Sequence, residues 1–511
     1  MAMWIKSLMQ HWHKQSSNQM GPYDEKQPIS FNLSYNENTI RSTYRDSSDV
    51  VIKSFFVGST PRRNALLIYI SETVNLAQIE QHVLHPLQTS IGASELNNIR
   101  AVCHLMNVPS VQHVHDFPQL YHEVANGHPV LLIDHLASGL ALNLAKWSVR
   151  QIQDATTETV IRGPKESFVE SADINMSLIR RRLRTPRLKM KKKIVGSYTQ
   201  TQIIISYIDG ICDPRLIKEV EKRIDAVTTD GVYDSGTIQE RIKDSPYSIF
   251  PTIYSTERPD SVCASLIEGR ASVIIDGSPY ALILPTTFSM FFSSPEDYYS
   301  GFIIGSSIRI LRLFNLMIAL MAPSLYVAVT TYHQEMIPTT LLLAIAQTHE
   351  QVPFPSIVEA LLMELTFEGL REAGVRLPSQ VGPALSIVGA LVIGQAAIQA
   401  SIVSPAMVIV VSITAIASFM IPNYAASNTI RILRFPMILM AGMFGLLGVI
   451  ITFLIIMIHQ CSLRSFGVPY MEPIAPFKKA GMIDTFIRAP LWLMKIRPHF
   501  TGSTWNKRRN R

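Results

Sequence analysis

Beyond about residue 300, charge almost disappears from this chain in three long runs. Leu313–Tyr332 holds 20 residues without a charge, Leu377–Ile430 holds 54 without Asp, Glu, Lys, Arg or His, and Phe435–Ile458 holds 24. A bilayer hydrocarbon core of about 30 Å needs about 20 apolar residues as a helix. The first and third runs each hold one span. The middle run holds two, divided at Ser404-Pro405. The pattern predicts spans near 313–332, 384–403, 406–421 and 435–458, the middle two an antiparallel pair with almost no loop. Charged residues are 17% of the chain, below the roughly 25% of a soluble domain. Both observations exclude a wholly soluble protein and a disordered one.

Two segments fit the pattern less simply. Ile337–Ala346 is apolar but short. Ser356–Ala373 reads as a helix too charged to face lipid, so it is interfacial, re-entrant or packed inside an assembly. The basic residues set orientation. Nine Lys/Arg and one Asp lie between Lys478 and Arg511, against six Glu and two Arg between Tyr332 and Pro383. Four spans with both termini on the cytoplasmic side fit these counts. Arg431 and Arg434 disagree: either they face a protein interior or an uncounted crossing shifts the topology.

The first 300 residues read as mixed α/β. Ala65–Ile70, Pro129–Asp134 and Gln202–Ile208 are apolar runs of strand length, and Pro214–Asp225 is helical. Ser272–Leu284 reads as two strands joined at Asp276-Gly277, where glycine tolerates the positive φ of a tight turn. Arg180–Lys193 carries nine Lys/Arg in 14 residues. It reads as a basic linker, solvated or against anionic lipid, between subdomains at 46–179 and 195–300. The fold class is therefore a two-subdomain α/β cytoplasmic N-terminal domain followed by an all-α multi-span membrane domain. Residues 1–45 are polar and read as disordered, 180–194 as the linker, 301–477 as the membrane domain and 478–511 as a basic cytoplasmic tail.

No phosphate-cradling glycine loop, nucleophile elbow or metalloprotease helix occurs, so the chain does not read as an enzyme and needs no cofactor or metal. The four Cys (Cys103, Cys212, Cys263, Cys461) are dispersed. They form no disulfide framework or zinc motif. Nucleic acid is not an expected partner.

Within 384–403, Val388, Val392, Gln395 and Gln399 recur at spacings of four, three and four and share one face. Gly389, Gly394 and Ala397 supply small residues for close helix packing. Glutamine in hydrocarbon requires a partner or water. The face is therefore either a narrow apolar gate beside a polar lining or interhelical glue. In 356–373, Glu364, Glu368 and Glu372 repeat every four residues. Like charges at that spacing repel unless compensated. They form either a cation-concentrating vestibule in a ring of copies, or a solvated face paired with Arg371 and Arg376. Tyr207, Glu257, Arg258 and Asp260 form either a polar ligand pocket or an inter-subdomain hydrogen-bond network.

Residues 353–419, PFPSIVEALLMELTFEGLREAGVRLPSQVGPALSIVGALVIGQAAIQASIVSPAMVIVVSITAIASF, resemble the signature of the A subunits of bacterial spore germinant receptors, the GerA family. The resemblance continues in RILRF (431–435), SFGVPYMEPIAPF (465–477), TETVIRGPKESFVES (157–171), TERPD (256–260), IEGR (267–270), IDGSPYALILP (275–285) and DYY (297–299), and covers roughly 50–495. Ser167 and Gly369 depart from the expected pattern. The resemblance implies an integral protein of the spore inner membrane with its N-terminal domain cytoplasmic. It implies a homo-oligomer contacting membrane lipid, working with a transporter-like B subunit and a lipoprotein C subunit. The implied function is a nutrient-gated monovalent cation channel that initiates germination. The alternative is a non-conducting scaffold or signal transducer of the receptor complex.

Overall fold

A computed structural model describes residues 27–58, 62–89, 99–146, 155, 157–376, 392–482, 484–490, 492, 494 and 497. Two five-stranded antiparallel sheets organise the first 300 residues. The first contains β1 (Val50–Val57), β2 (Arg63–Ile70), β3 (Val111–Val114), β4 (Val130–Ile133) and β5 (Gly139–Leu142), in the order β1-β2-β4-β5-β3. The second contains β6 (Leu188–Val195), β7 (Thr201–Ile208), β8 (Tyr254–Thr256), β9 (Ala271–Ile275) and β10 (Ala281–Leu284), in the order β6-β7-β9-β10-β8.

Both sheets are covered on both faces, which is why their central strands read as continuous apolar runs. In β2, Leu66, Ile68 and Ile70 pack beneath α1 (Leu33–Thr43) and α2 (Phe117–Ala125), while Ala65, Leu67 and Tyr69 face the other core. In β7, Ile203 and Ile205 enter one core and Ile204 and Ile208 another. The expected β9–β10 hairpin forms, with Gly277 at φ 84° in its turn.

Two segment readings are corrected. Residues 1–26 lie outside the described residues, but 33–43 is folded, not disordered. Asn32 caps α1, and Leu33, Asn36, Ile40 and Thr43 bury one helical face. The stretch 180–194 is not a free linker. It is the last turn of α3 (Ala172–Arg182) and strand β6, with six of its cations in ion pairs. Arg180 makes a buried ion pair with Asp49 at 2.8 Å, and Arg181 and Arg182 hold Glu166. Lys189 donates to the Thr43 carbonyl, and Lys191, Lys192 and Lys193 pair with Glu221, Asp173 and Asp225. Its cations join strands and helices in place of phosphates.

After α4 (Pro214–Asp225) and α5 (Pro259–Ile267), the chain enters a helical bundle. Its members are α6 (Phe302–Tyr332), α7 (Thr339–His349), α8 (Ser356–Arg376), a helical stretch at 392–399, α9 (Pro405–Phe419) and α10 (Tyr424–Ser462). Helices α6 and α10 are long and apolar enough to cross a membrane. One apolar core runs from the Ile204 face of the second sheet through Phe291, Phe292 and Tyr470 into α6, α9 and α10.

Helix α10 differs from the single span expected at 435–458. Near its start, Thr429 donates to the Ile249 carbonyl at 2.9 Å. Near its end, His459 Nε2 lies 3.0 Å from Ser248 Oγ. In an unbroken helix these residues would be about 45 Å apart. The chain reverses at Gly445, whose φ of 61° and ψ of −142° are not helical. Residues 424–444 and 446–462 are antiparallel arms, and the tip meets Tyr332, which donates to the carbonyls of Gly442 and Met443. Charge-free length alone carried no sign of this reversal.

Candidate functional site

Between α8 and the first arm of α10, buried charges meet in pairs. Glu364 is 1% exposed, and its Oε2 accepts from Arg434 Nη1 at 2.6 Å; Arg434 Nε also donates to the Ala319 carbonyl on α6 at 2.8 Å. One turn on, Arg431 donates to Glu368 at 2.6 Å. Glu372 is exposed and paired with Arg376, also at 2.6 Å. Glutamates at i and i+4 on α8 thus meet arginines at i and i+3 on an antiparallel helix. The repulsion read along α8 is cancelled from 70 residues away. Glu364 is therefore no open vestibule carboxylate in this chain, since it is buried on a countercharge. Glu368 is committed to Arg431, and Glu372 alone of the three is exposed. The same pairs account for Arg431 and Arg434, which face protein interior.

Above these pairs, Glu359 is fully buried. It accepts from the Ser404 amide at 2.8 Å and lies 3.2 Å from His349 Nε2. It ties α8 to the N-terminus of α9, where an anionic acceptor is favoured. On the stripe, Val388 and Gly389 lie outside the described residues. Val392 is 54% exposed, and Gln395 and Gln399 are exposed beside it. Gly394 is buried on another face, where an added Cβ would sit 3.8 Å from Val408, and Ala397 packs partly buried against the bundle core. The helix therefore docks through small residues on α9 and leaves the Val/Gln face exposed among the described residues.

The α/β region meets the bundle at a seam of buried polar groups. Glu257 accepts from the amides of Thr157 and Glu158 at 2.6 and 2.9 Å. Arg258 is fully buried, pairs with Asp260 at 2.8 Å, and donates to the carbonyls of Glu158 and Pro164. These three residues hold the 157–166 segment against the second sheet. Tyr207 is not with them. It lies on β7 opposite Lys189, beneath Lys191.

The three residues of the DYY block each bind a different part of the molecule. Asp297 is buried between Arg309 and Arg312 of α6, at 3.3 and 3.0 Å. Tyr298 donates to Asp484 of the C-terminal segment, and Tyr299 donates to Asp260, both at 2.5 Å. Beside this joint, Thr157, Glu158, Ser293, Arg371, Ser418, Tyr424 and Ser427 contribute to the lining of a cavity of about 320 Å³. Burial pushes the Glu158 carboxyl up to about 7, against hydrogen bonds from Thr256 and Tyr254 that favour its charge. Sequence reasoning missed Asp297, Arg309, Arg312 and Glu158. The signal available was two arginines three residues apart just ahead of an apolar span, with an acid upstream. Among the described residues, no group of three or more His, Cys, Asp or Glu is placed to hold a metal.

A two-sheet α/β region joined through this seam to a helical bundle is the setting for comparison with known proteins. The family model described as Bacillus/Clostridium GerA spore germination protein matches residues 38–500. The chain belongs to this family, that of the A subunits of spore germinant receptors. It is 44% identical over 474 residues to spore germination protein KA of Bacillus subtilis (strain 168), covering 92% of this chain and 87% of that one. It is 41% identical over 475 residues to the uncharacterized membrane protein YfkQ of the same organism, covering 93% and 92%. Spore germination protein B1, also from that strain, is 38% identical over 473 residues, covering 92% and 97%. None of these three is named as an enzyme. The crystal structure of the N-terminal domain of the A subunit of the Bacillus megaterium spore germinant receptor GerK3 is 27% identical. It covers 52% of this chain and 98% of that one, with a TM-score of 0.39.

Proposed function

We propose that this chain is an oligomeric, membrane-spanning germinant receptor subunit that forms a nutrient-gated path for monovalent cations. Residues 46–300 are its cytoplasmic region, 301–477 its domain in the spore inner membrane, and 478–511 its cytoplasmic tail. B and C subunits are its partners, and nutrient binding in the complex shifts a closed–open equilibrium.

The observation that carries this reading is the two-faced helix at 392–399. Gly394 and Ala397 pack within the chain, while Val392, Gln395 and Gln399 are left facing out. Copies arranged about an axis would bring these faces together, with the Val388 and Val392 level as an apolar gate and the glutamines as a polar lining. With Glu364 and Glu368 committed to arginines, cation preference at the mouth falls to Glu372.

Potassium efflux from liposomes holding the chain tests this reading. Val392→Ala thins the apolar gate. A loss of about 1.4 kcal/mol from the closed state would raise leak about tenfold. Wild-type retention by an inserted, oligomeric Val392→Ala protein would move the path away from this helix. The non-conducting transducer would then lead. It has its own support in the DYY joint, which links α6, the C-terminal segment and the second sheet.

A further inference from the structure

Arg371 is a bundle arginine without an ion pair among the described residues. Arg431 and Arg434 have Glu368 and Glu364, but among the described residues no acid forms an ion pair with Arg371. Its guanidinium instead lies 5.3 Å from the ring centre of Phe419 and 5.7 Å from that of Tyr424, and its Nη1 is buried without a hydrogen-bond acceptor. A guanidinium in that condition costs stability unless an acceptor arrives. Arg371 also lines the 320 Å³ cavity at the seam, together with Ser418 and Ser427. Of Arg371, Arg431 and Arg434, only the last two have an ion-pair partner among the described residues.

The outer face of α9 leads to the same place. Ile409, Ile413, Ile416 and Phe419 recur at helical spacing and are 59%, 49%, 65% and 62% exposed. This row faces away from the chain's own core and ends at the aromatic pair that holds Arg371. An apolar row that terminates in aromatic rings and a buried cation matches an acyl chain continuing into a phosphate headgroup. Guanidinium is also the side chain whose planar donors best fit phosphate oxygens.

We propose that this cavity is a phospholipid site, with Arg371 bound to the lipid phosphate and the Ile409–Phe419 face against an acyl chain. The inference rests on the membrane-spanning reading above. Glu158 lines the same cavity; below about pH 7 its carboxyl holds a proton and offers a donor rather than a charge to the phosphate.

The test reconstitutes the full chain in phosphatidylcholine vesicles containing a photoactivatable phosphatidylglycerol, with cross-links mapped by mass spectrometry. Adducts are expected to concentrate on residues 409–427. Their yield is expected to fall about tenfold in Arg371→Gln, the scale of one lost charge-assisted hydrogen bond. Arg215→Gln, at an exposed arginine of α4, should leave the yield unchanged. Thr159, exposed in the lining outside the bundle, offers a second variant: Thr159→Trp should crowd the cavity and lower the yield even if Arg371→Gln folds poorly. Adducts spread evenly along the bundle, or a wild-type yield in both Thr159→Trp and a folded Arg371→Gln, would overturn the site. Displacement of the adducts by millimolar inorganic phosphate would make it a soluble-phosphate site and overturn the lipid assignment. A chain that fails to float with the vesicles sinks the membrane reading itself, whereas one that floats without localised adducts sinks this inference alone.

Discussion

The Glu364–Arg434 pair joins α8 to α10 inside the bundle. Both side chains are 1% exposed, so neither charge has water to fall back on. Removing one partner strands the other. Glu364→Gln is expected to destabilise the chain by about 3–5 kcal/mol, while the double variant Glu364→Met/Arg434→Leu should recover most of the loss. Thermal unfolding in detergent checks both. Glu158 supplies a pH signature. An unfolded glutamate releases its proton near pH 4.3, whereas here burial holds the carboxyl up to about 7. Between those values the folded chain binds more protons than the unfolded one. The stabilising contribution is thus complete below the lower value and lost as pH rises through about 7. Glu158→Gln, neutral throughout, should flatten the fall in thermal midpoint between about pH 5 and 8. A slope equal to wild type would mean that other groups carry the dependence.

At the scale of elements, the reversal in α10 hangs on one residue. The φ and ψ of Gly445 lie in a region nearly reserved for glycine, and an added Cβ would stand 2.9 Å from His333 Cε1 and 3.0 Å from Tyr332 Cβ. Gly445→Ala should cost about 1–3 kcal/mol, read as a lowered unfolding midpoint. An unchanged midpoint would mean that the arms do not meet at this angle. The strands were more legible than this turn. Runs such as Leu66–Ile70 and Ile203–Ile205 are apolar on both faces because both faces are covered. Strand β6 was hidden because its lysines break the apolar run. They extend from a sheet edge to acids on neighbouring elements, a pairing that composition alone reads as solvation.

At the scale of the whole molecule, the described helices run alternately away from and toward the second sheet. Helix α6 runs away from the second sheet and α8 returns. The 392–399 stretch leads away, α9 returns, the first arm of α10 leads away and its second arm comes back. An even number of passes returns the C-terminal segment to the α/β region, where Ser465 and Phe466 bond to Thr252 and Asp244. Cys461 is exposed at the end of α10, and Gln334 is exposed just past the far end of α6. In sealed vesicles, an impermeant maleimide should reach Cys461 and an introduced Gln334→Cys from opposite sides. Labelling of both from one side would break the proposed crossing.

The amino-acid sequence by itself determined where apolar length accumulates, which runs become buried strands, and which face of 392–399 carries polar groups. These follow from local periodicity and composition, which act within a few residues. The tertiary structure alone decided which charges are free. Glu364 and Glu372 stand two turns apart on one helix, yet one is sealed on Arg434 and the other is exposed. Desolvation and pairing depend on what lies within a few ångströms in space, and here those neighbours come from tens to more than a hundred residues away.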